Sequence, residues 1–276
     1  MRLGIFAKTF PGNDPGTVMS AARRAGYAAV QYNMACSGLP SMPEAVAPEV
    51  AAAVARAARA NGIAIAAVSG TYNMIHPDPA VRADGLRRLA VLAEASSALG
   101  TDLITLCTGT RDPADQWRAH PDNRTPEAWR DLLVEMEKAV LLAERHDVRL
   151  GVEPELANVV DSAEKARRLI DEIGSPRLVV VLDPANLFEE ALLPRQREIV
   201  SEAIGLLAGR IVMAHAKDRD AAGRFVTAGR GVLDYKHYLA RLKAAGFSGD
   251  LVTHGLAASE APAVAAFLSG LLAELP

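Results

Sequence analysis

Apolar residues in this chain fall in short runs that alternate with longer stretches of helical period. The runs at 3–7, 28–32, 63–68, 103–107, 148–152, 179–182, 211–214 and 250–253 are rich in Val, Ile, Leu and Ala and read as buried strands. Between them, 15–24, 49–60, 81–99, 129–146, 162–173, 194–207 and 235–245 read as helices, and a last helix closes the chain. Asn13 or Asp14 and Asp161 or Ser162 stand where N-caps are needed, while Gly26, Gly62 and Gly100 stand where helices stop. Eight strand–helix units predict an α/β fold, a closed (β/α)8 TIM barrel built as one domain over 1–276.

Four of the strand-like runs stop on ionisable side chains. The fifth delivers Glu153 and Glu155 around Pro154, the sixth Asp183, the seventh His215 and the eighth His254. The intervals from Glu153 onward are 30, 32 and 39 residues, each about one strand–helix–strand unit. Side chains repeated at the same end of parallel strands converge on one rim. Two carboxylates and two imidazoles there make a candidate divalent metal site, open to Mn²⁺, Co²⁺, Zn²⁺ or Mg²⁺, with imidazole tilting the choice away from Mg²⁺.

Composition narrows the class. At 276 residues and 50% hydrophobic, the chain can bury a large core. A net charge of −3 with interspersed signs argues against a nucleic-acid surface. Two distant cysteines, Cys36 and Cys107, give no disulfide framework. The apolar run at the N-terminus is too short for a signal peptide and no run approaches the ~20 residues of a membrane span, so a cytoplasmic protein without membrane contact is expected. No Gly-x-Gly-x-x-Gly follows the first strand, which argues against a dinucleotide site. The oligomeric state, a homo-oligomer included, is left open.

Two long loops, 108–126 and 216–232, follow the fourth and seventh strands and should cover the same rim. Each candidate has a plainer alternative. Glu153 can be a strand-end carboxylate in an ion pair, and His254 can support a ligand rather than be one. Glu155 can ligate, bind substrate, or pair with Arg149 or a lysine. Lys217 and Asp218 can be surface charges, although a lysine beside a metal suits a sugar oxygen or phosphate. Trp117 can be a lid over a ring-shaped ligand or an anchor for its own loop. Cys107 reads as small core filler, and His146 and His237 lie on helices away from the rim.

The motifs Gly151-Val-Glu-Pro-Glu155, Leu182-Asp-Pro-Ala-Asn186, His215-Ala-Lys-Asp218 and Gly229-Arg-Gly-Val-Leu-Asp-Tyr235, the last leading to Gly246-Phe-Ser-Gly249, carry a resemblance over essentially the whole chain. With His76-Pro-Asp78 and Leu99-Gly100, they resemble the sugar phosphate isomerase/epimerase family of xylose isomerase-like TIM barrels. The resemblance implies Glu153, Asp183 and His215 as metal ligands. The family's fourth ligand, a Glu after strand eight, is His254 here; its frequent Glu after strand two is Gln31. The His that ketose 3-epimerases carry three residues after the strand-six Asp is Asn186. Apurinic-site endonucleases share the superfamily but need a larger metal cluster and a basic face.

The implied chemistry is proton abstraction alpha to a carbonyl of a sugar, sugar phosphate or related polyol, through an enediolate that a divalent cation stabilises. Glu153 and His254 are the expected acid/base groups, and the loss of a matched Glu pair puts strict C3 epimerisation in doubt. Substrate contacts are expected from Gln31, Thr108, Trp117, Glu155, Asn186, Lys217 and Asp218. A metal-dependent dehydratase or lyase acting on a cyclitol or keto-sugar, and a non-catalytic sugar-binding barrel, are the alternatives.

Overall fold

Strands apolar along their whole length can be buried on both faces, as a parallel sheet wrapped by helices requires. In the computed structural model, which describes residues 1–275, the eight predicted runs pair in parallel in this way. They are β1 (Arg2–Phe6), β2 (Ala29–Tyr32), β3 (Ala64–Ser69), β4 (Leu103–Leu106), β5 (Arg149–Val152), β6 (Leu178–Leu182), β7 (Ile211–Ala216) and, last, β10 (Asp250–Thr253). The sheet closes in the order β1-β10-β7-β6-β5-β4-β3-β2. Two further short strands, β8 (Asp218–Arg219) and β9 (Phe225–Val226), form an antiparallel hairpin inside the long loop after β7. The sequence pattern had shown only a loop there.

The helices are α1 (Pro15–Arg24), α2 (Pro48–Ala60), α3 (Pro79–Leu99), α4 (Pro126–Arg145), α5 (Ala163–Ile173), α6 (Gln196–Leu206), α7 (Tyr235–Ala244) and α8 (Ala261–Ala273). Three begin one to three residues earlier than expected, at Pro48, Pro79 and Pro126, because proline's fixed φ suits the first turn and its missing N–H is not needed there. Asp14 and Ser162 are the caps that form, accepting from the N–H groups of Thr17 and Lys165. The segment from Glu190 to Arg195, partly expected as helix, is a 3-10 turn leading into α6.

The core has two layers. Ala67, Leu103, Val179, Val181, Met213 and Val252 fill the barrel interior, and a larger shell lies between barrel and helices. Gly151 lets β5 lie close to its neighbour, since a Cβ there would stand 2.8 Å from Val181. Gly85, inside α3, receives the Tyr72 ring where a Cβ would otherwise be. Gly→Ala in a helix ordinarily stabilises by ~1 kcal/mol. Here overlap with the buried ring reverses the sign, and Gly85→Ala is expected to destabilise by about 1–3 kcal/mol, read as a lower Tm; a raised Tm would contradict this packing.

Candidate metal centre

The ends of β5, β6, β7 and β10 carry Glu153, Asp183, His215 and His254 to one rim, and one ligand-capable atom of each lies within 4.8 Å of all the others. The three intervals in the sequence translate directly into this cluster. His254 Nε2 is 2.9 Å from Asp183 Oδ2, and the His215 and His254 rings are 4.5 Å apart. Asp183 is fully buried and also accepts the Ala185 N–H through Oδ1 at 2.9 Å. Tyr238 donates its hydroxyl to the carbonyls of Leu182 and His215 and so ties the ends of β6 and β7 together.

Gln31 lines the cavity, as expected of a substrate contact, and also orients His215. A register shift in β2 at Val30/Gln31 precedes it. Its amide nitrogen donates to Ser69 and Thr105, and its Oε1 lies 2.9 Å from His215 Nε2. That oxygen accepts, so Nε2 carries the hydrogen and Nδ1 presents a lone pair. Nδ1 stands 3.2 Å from Glu153 Oε1, another acceptor. Two acceptors at that distance need a proton or a cation between them. With two carboxylates and two imidazoles converging, the donor set fits a borderline divalent ion.

The electrostatics run the same way. Burial pushes the Glu153 carboxyl up, but neighbouring His215 outweighs it and the net shift is downward. Burial likewise opposes ionisation of Asp183, yet Lys217 and then His254 hold it well below the usual carboxylate range. For His215, burial is outweighed by Glu153 and the pKa rises. For His254, burial and the charge of His215 win, and the pKa falls, leaving a neutral imidazole suited to a cation. Burial and adjacent Glu153 push the Glu155 carboxyl up to about 7.

Above the cluster opens a cavity of about 520 Å³. Gln31, Trp117, Glu153, Glu155, His215, Lys217 and His254 line it. Asn186 is fully buried behind it, donating to Glu153 Oε1 at 2.9 Å and accepting from Lys217 Nζ at 3.0 Å. Lys217, expected as a surface charge or substrate contact, is buried, 3.4 Å from Asp183 Oδ2. Its Nζ also lies 3.8 Å from the centre of the Phe225 ring. Gln116 and Trp117 from the first long loop and Phe225 from the second face the same space, as the loop positions required.

Two expected substrate contacts are corrected. Thr108 is fully buried and its hydroxyl accepts the Val160 N–H, pinning the loop after β5. Asp218 is 1% exposed and its oxygens accept only backbone N–H groups, as described below. Neither lines the cavity. Nor does Arg149 reach Glu155: it pairs with Asp102 at 2.8 Å, at the other end of β5, and Glu155 makes no salt bridge among the described residues. Ser69, Thr105, Asn33, Lys8 and Phe225 line the cavity but were not anticipated. The first four are polar residues in or just after strands, the same mark that found Glu153. Phe225 had no such mark, because the hairpin alone brings it there.

The family model described as xylose isomerase-like TIM barrel matches residues 19–266. No curated protein matches the chain by sequence. A xylose isomerase domain protein from Planctomyces limnophilus superposes with a TM-score of 0.77 at 19% identity, covering 99% of this chain and 97% of that one. An L-ribulose 3-epimerase gives 0.77 at 18% identity over 99% and 94%. The D-psicose 3-epimerase of Clostridium cellulolyticum H10, with D-tagatose, gives 0.76 at 16% over 99% and 99%. At these identities the likeness speaks for the fold alone. No helix among the described residues is long and apolar enough to cross a membrane.

Proposed function

The chain belongs to the xylose isomerase-like TIM barrel family, and from that membership we propose that it is a divalent-metal-dependent isomerase or epimerase that moves a proton alpha to the carbonyl of a sugar. The observation that carries the reading is the convergence of Glu153, Asp183, His215 and His254, three of which, Glu153, His215 and His254, line the cavity. Structural neighbours that are sugar epimerases support the substrate class. Glu153, Asp183, His215 and His254 would hold a divalent cation, which would supply Lewis-acid stabilisation of the negative charge left by deprotonation.

The chain's own groups do the rest. Asn186 donates to Glu153 Oε1, leaving its second oxygen to take a proton from carbon. Asp183 anchors His254 through Nε2, so the imidazole faces the carboxylate of Glu153 across the cluster as the second proton-handling group. Glu155 presents a carboxyl group to sugar hydroxyls. One carboxylate opposed by one imidazole favours isomerisation, or proton transfer on a single face, over exchange between two matched carboxylates.

The test is proton exchange from solvent D₂O into a panel of aldoses, ketoses and keto-glycosides, followed by NMR on protein loaded with Mn²⁺, Co²⁺ or Zn²⁺. Exchange with an isomeric product supports the reading. A product lacking the elements of water would replace it with a dehydratase. Bound metal with no exchange on any sugar would leave a non-catalytic binding barrel.

Trp117 gives an optical handle, being 55% exposed and at the cavity mouth. The chain's other tryptophan, Trp129, is buried on α4 and donates to Glu172. In a Trp129→Phe background, fluorescence is expected to change when a bound sugar covers Trp117. A sugar shown by calorimetry to bind without any change would remove Trp117 from the site.

A further inference from the structure

In (β/α)8 barrels, phosphate groups are commonly held by backbone N–H groups of the loops after the seventh and eighth strands. Here those strands are β7 and β10, and both loops turn their N–H groups on carboxylates of the chain itself. Asp218 Oδ1 accepts from Arg219 at 2.9 Å and Leu233 at 3.0 Å; Oδ2 accepts from Gly229 at 3.0 Å and Gly231 at 3.1 Å. The carboxylate is 1% exposed. Gly229 has φ +80°, and a Cβ on Gly231 would overlap the carboxylate, so the two glycines let the loop wrap it. After β10, Glu260 Oε2 accepts the Ala257 N–H at 2.9 Å, and both its oxygens lie 3.1 Å from the Thr227 hydroxyl, linking the two loops.

The cations nearby are also engaged. Arg219, 7% exposed, donates to the carbonyls of Ala185 and Gly223 and lies against the Phe225 ring at 4.0 Å. Lys217 is held by Asn186 and Asp183. Lys8 forms no salt bridge among the described residues, but it is a single exposed lysine at the mouth.

We propose that Asp218 is a built-in anion occupying the place where a barrel of this kind would bind phosphate, folding the loop after β7 around itself, and that the substrate is therefore an unphosphorylated sugar. The sugar rests on the function proposed above; the filled anion nest does not. The same loop carries Phe225 over Lys217, so Asp218 is a positioning residue for the cavity wall as well.

The experiment measures binding of inorganic phosphate and formate by calorimetry and thermal shift, without turnover. Wild-type protein is expected to bind neither and to show no shift. Asp218→Ala leaves a nest of four donors, lowers Tm, and is expected to bind phosphate at least about tenfold more tightly than wild type, with either anion restoring Tm. Wild-type binding of D-fructose and D-fructose 6-phosphate is compared alongside, with the free sugar expected to be preferred. Phosphate binding by wild type, a tighter complex with the phosphate ester, or a folded Asp218→Ala protein indifferent to both anions would each overturn the proposal. Should Asp218→Ala not fold, the wild-type measurements decide alone. Absence of sugar turnover would bear on the proposed enzyme and leave the anion result standing.

Discussion

An Asp183→Asn protein purified without chelator is expected to hold less than about a tenth of the metal that wild type holds, and to lose turnover with it, since even indirect supports of a metal ligand are worth about 10–100-fold in affinity. Wild type should carry about one transition ion per chain, as one such site implies. Asparagine keeps the shape and can still accept the Ala185 N–H, but it removes the charge that Lys217 and His254 face. Asp183→Ala goes further and leaves Lys217 buried without its carboxylate, a loss on the order of 3–5 kcal/mol. The sign with pH is fixed. The folded carboxyl titrates below its unfolded value of about 3.9, so its contribution is complete at neutral pH and is lost only as acid protonates the folded form. Elemental analysis and Tm measure both effects. Full metal content in a folded Asp183→Asn protein would remove this residue from the ligand set.

Exchanging His254 has the second large effect. His254→Ala should weaken metal binding by about 10–100-fold or more and remove most turnover. His254→Glu should keep the metal, because a carboxylate adds charge to the site, and it introduces the glutamate that the sequence resemblance implies at that position. It also sets a third carboxylate beside Asp183 and Glu153, whose ligand atoms already lie within 4.8 Å of one another. Without a cation these repel. The metal-free His254→Glu protein should therefore melt lower than wild type, and its Tm should rise more on adding metal. The acid limb of activity should move down in pH, since imidazole competes for protons near ~6.5 and an unperturbed glutamate near ~4.3. Epimerisation at a ketose carbon, assayed by chromatography of the product sugars, is expected to become measurable. An Ala variant with unchanged affinity and rate would make His254 a bystander and leave Glu153, Asp183 and His215 to run the site.

The residues placed by the sequence alone and those placed only by the fold differ in one physical respect. Glu153, Asp183, His215 and His254 were legible because each terminates an apolar run, and parallel strands of one barrel must end on one rim. Local chain properties sufficed: a strand's length, its burial on both faces, and the period of the helix that follows. The caps at Asp14 and Ser162 belong to the same class, since a cap acts over three residues. The partners of side chains on long loops do not. Asp218 looks in sequence like any acid beside a lysine, and only the return of the chain at Gly229, Gly231 and Leu233 turns it inward onto four N–H groups. Gln31 orients His215 across 184 positions of sequence, and Phe225 reaches Lys217 only because β8 and β9 pair. The sequence by itself determined the barrel and the four residues at its rim, because periodicity and strand polarity are local. The tertiary structure decided which remaining polar groups face the cavity and which are consumed by backbone, because a buried donor or acceptor takes whatever partner the loop path brings within hydrogen-bond reach.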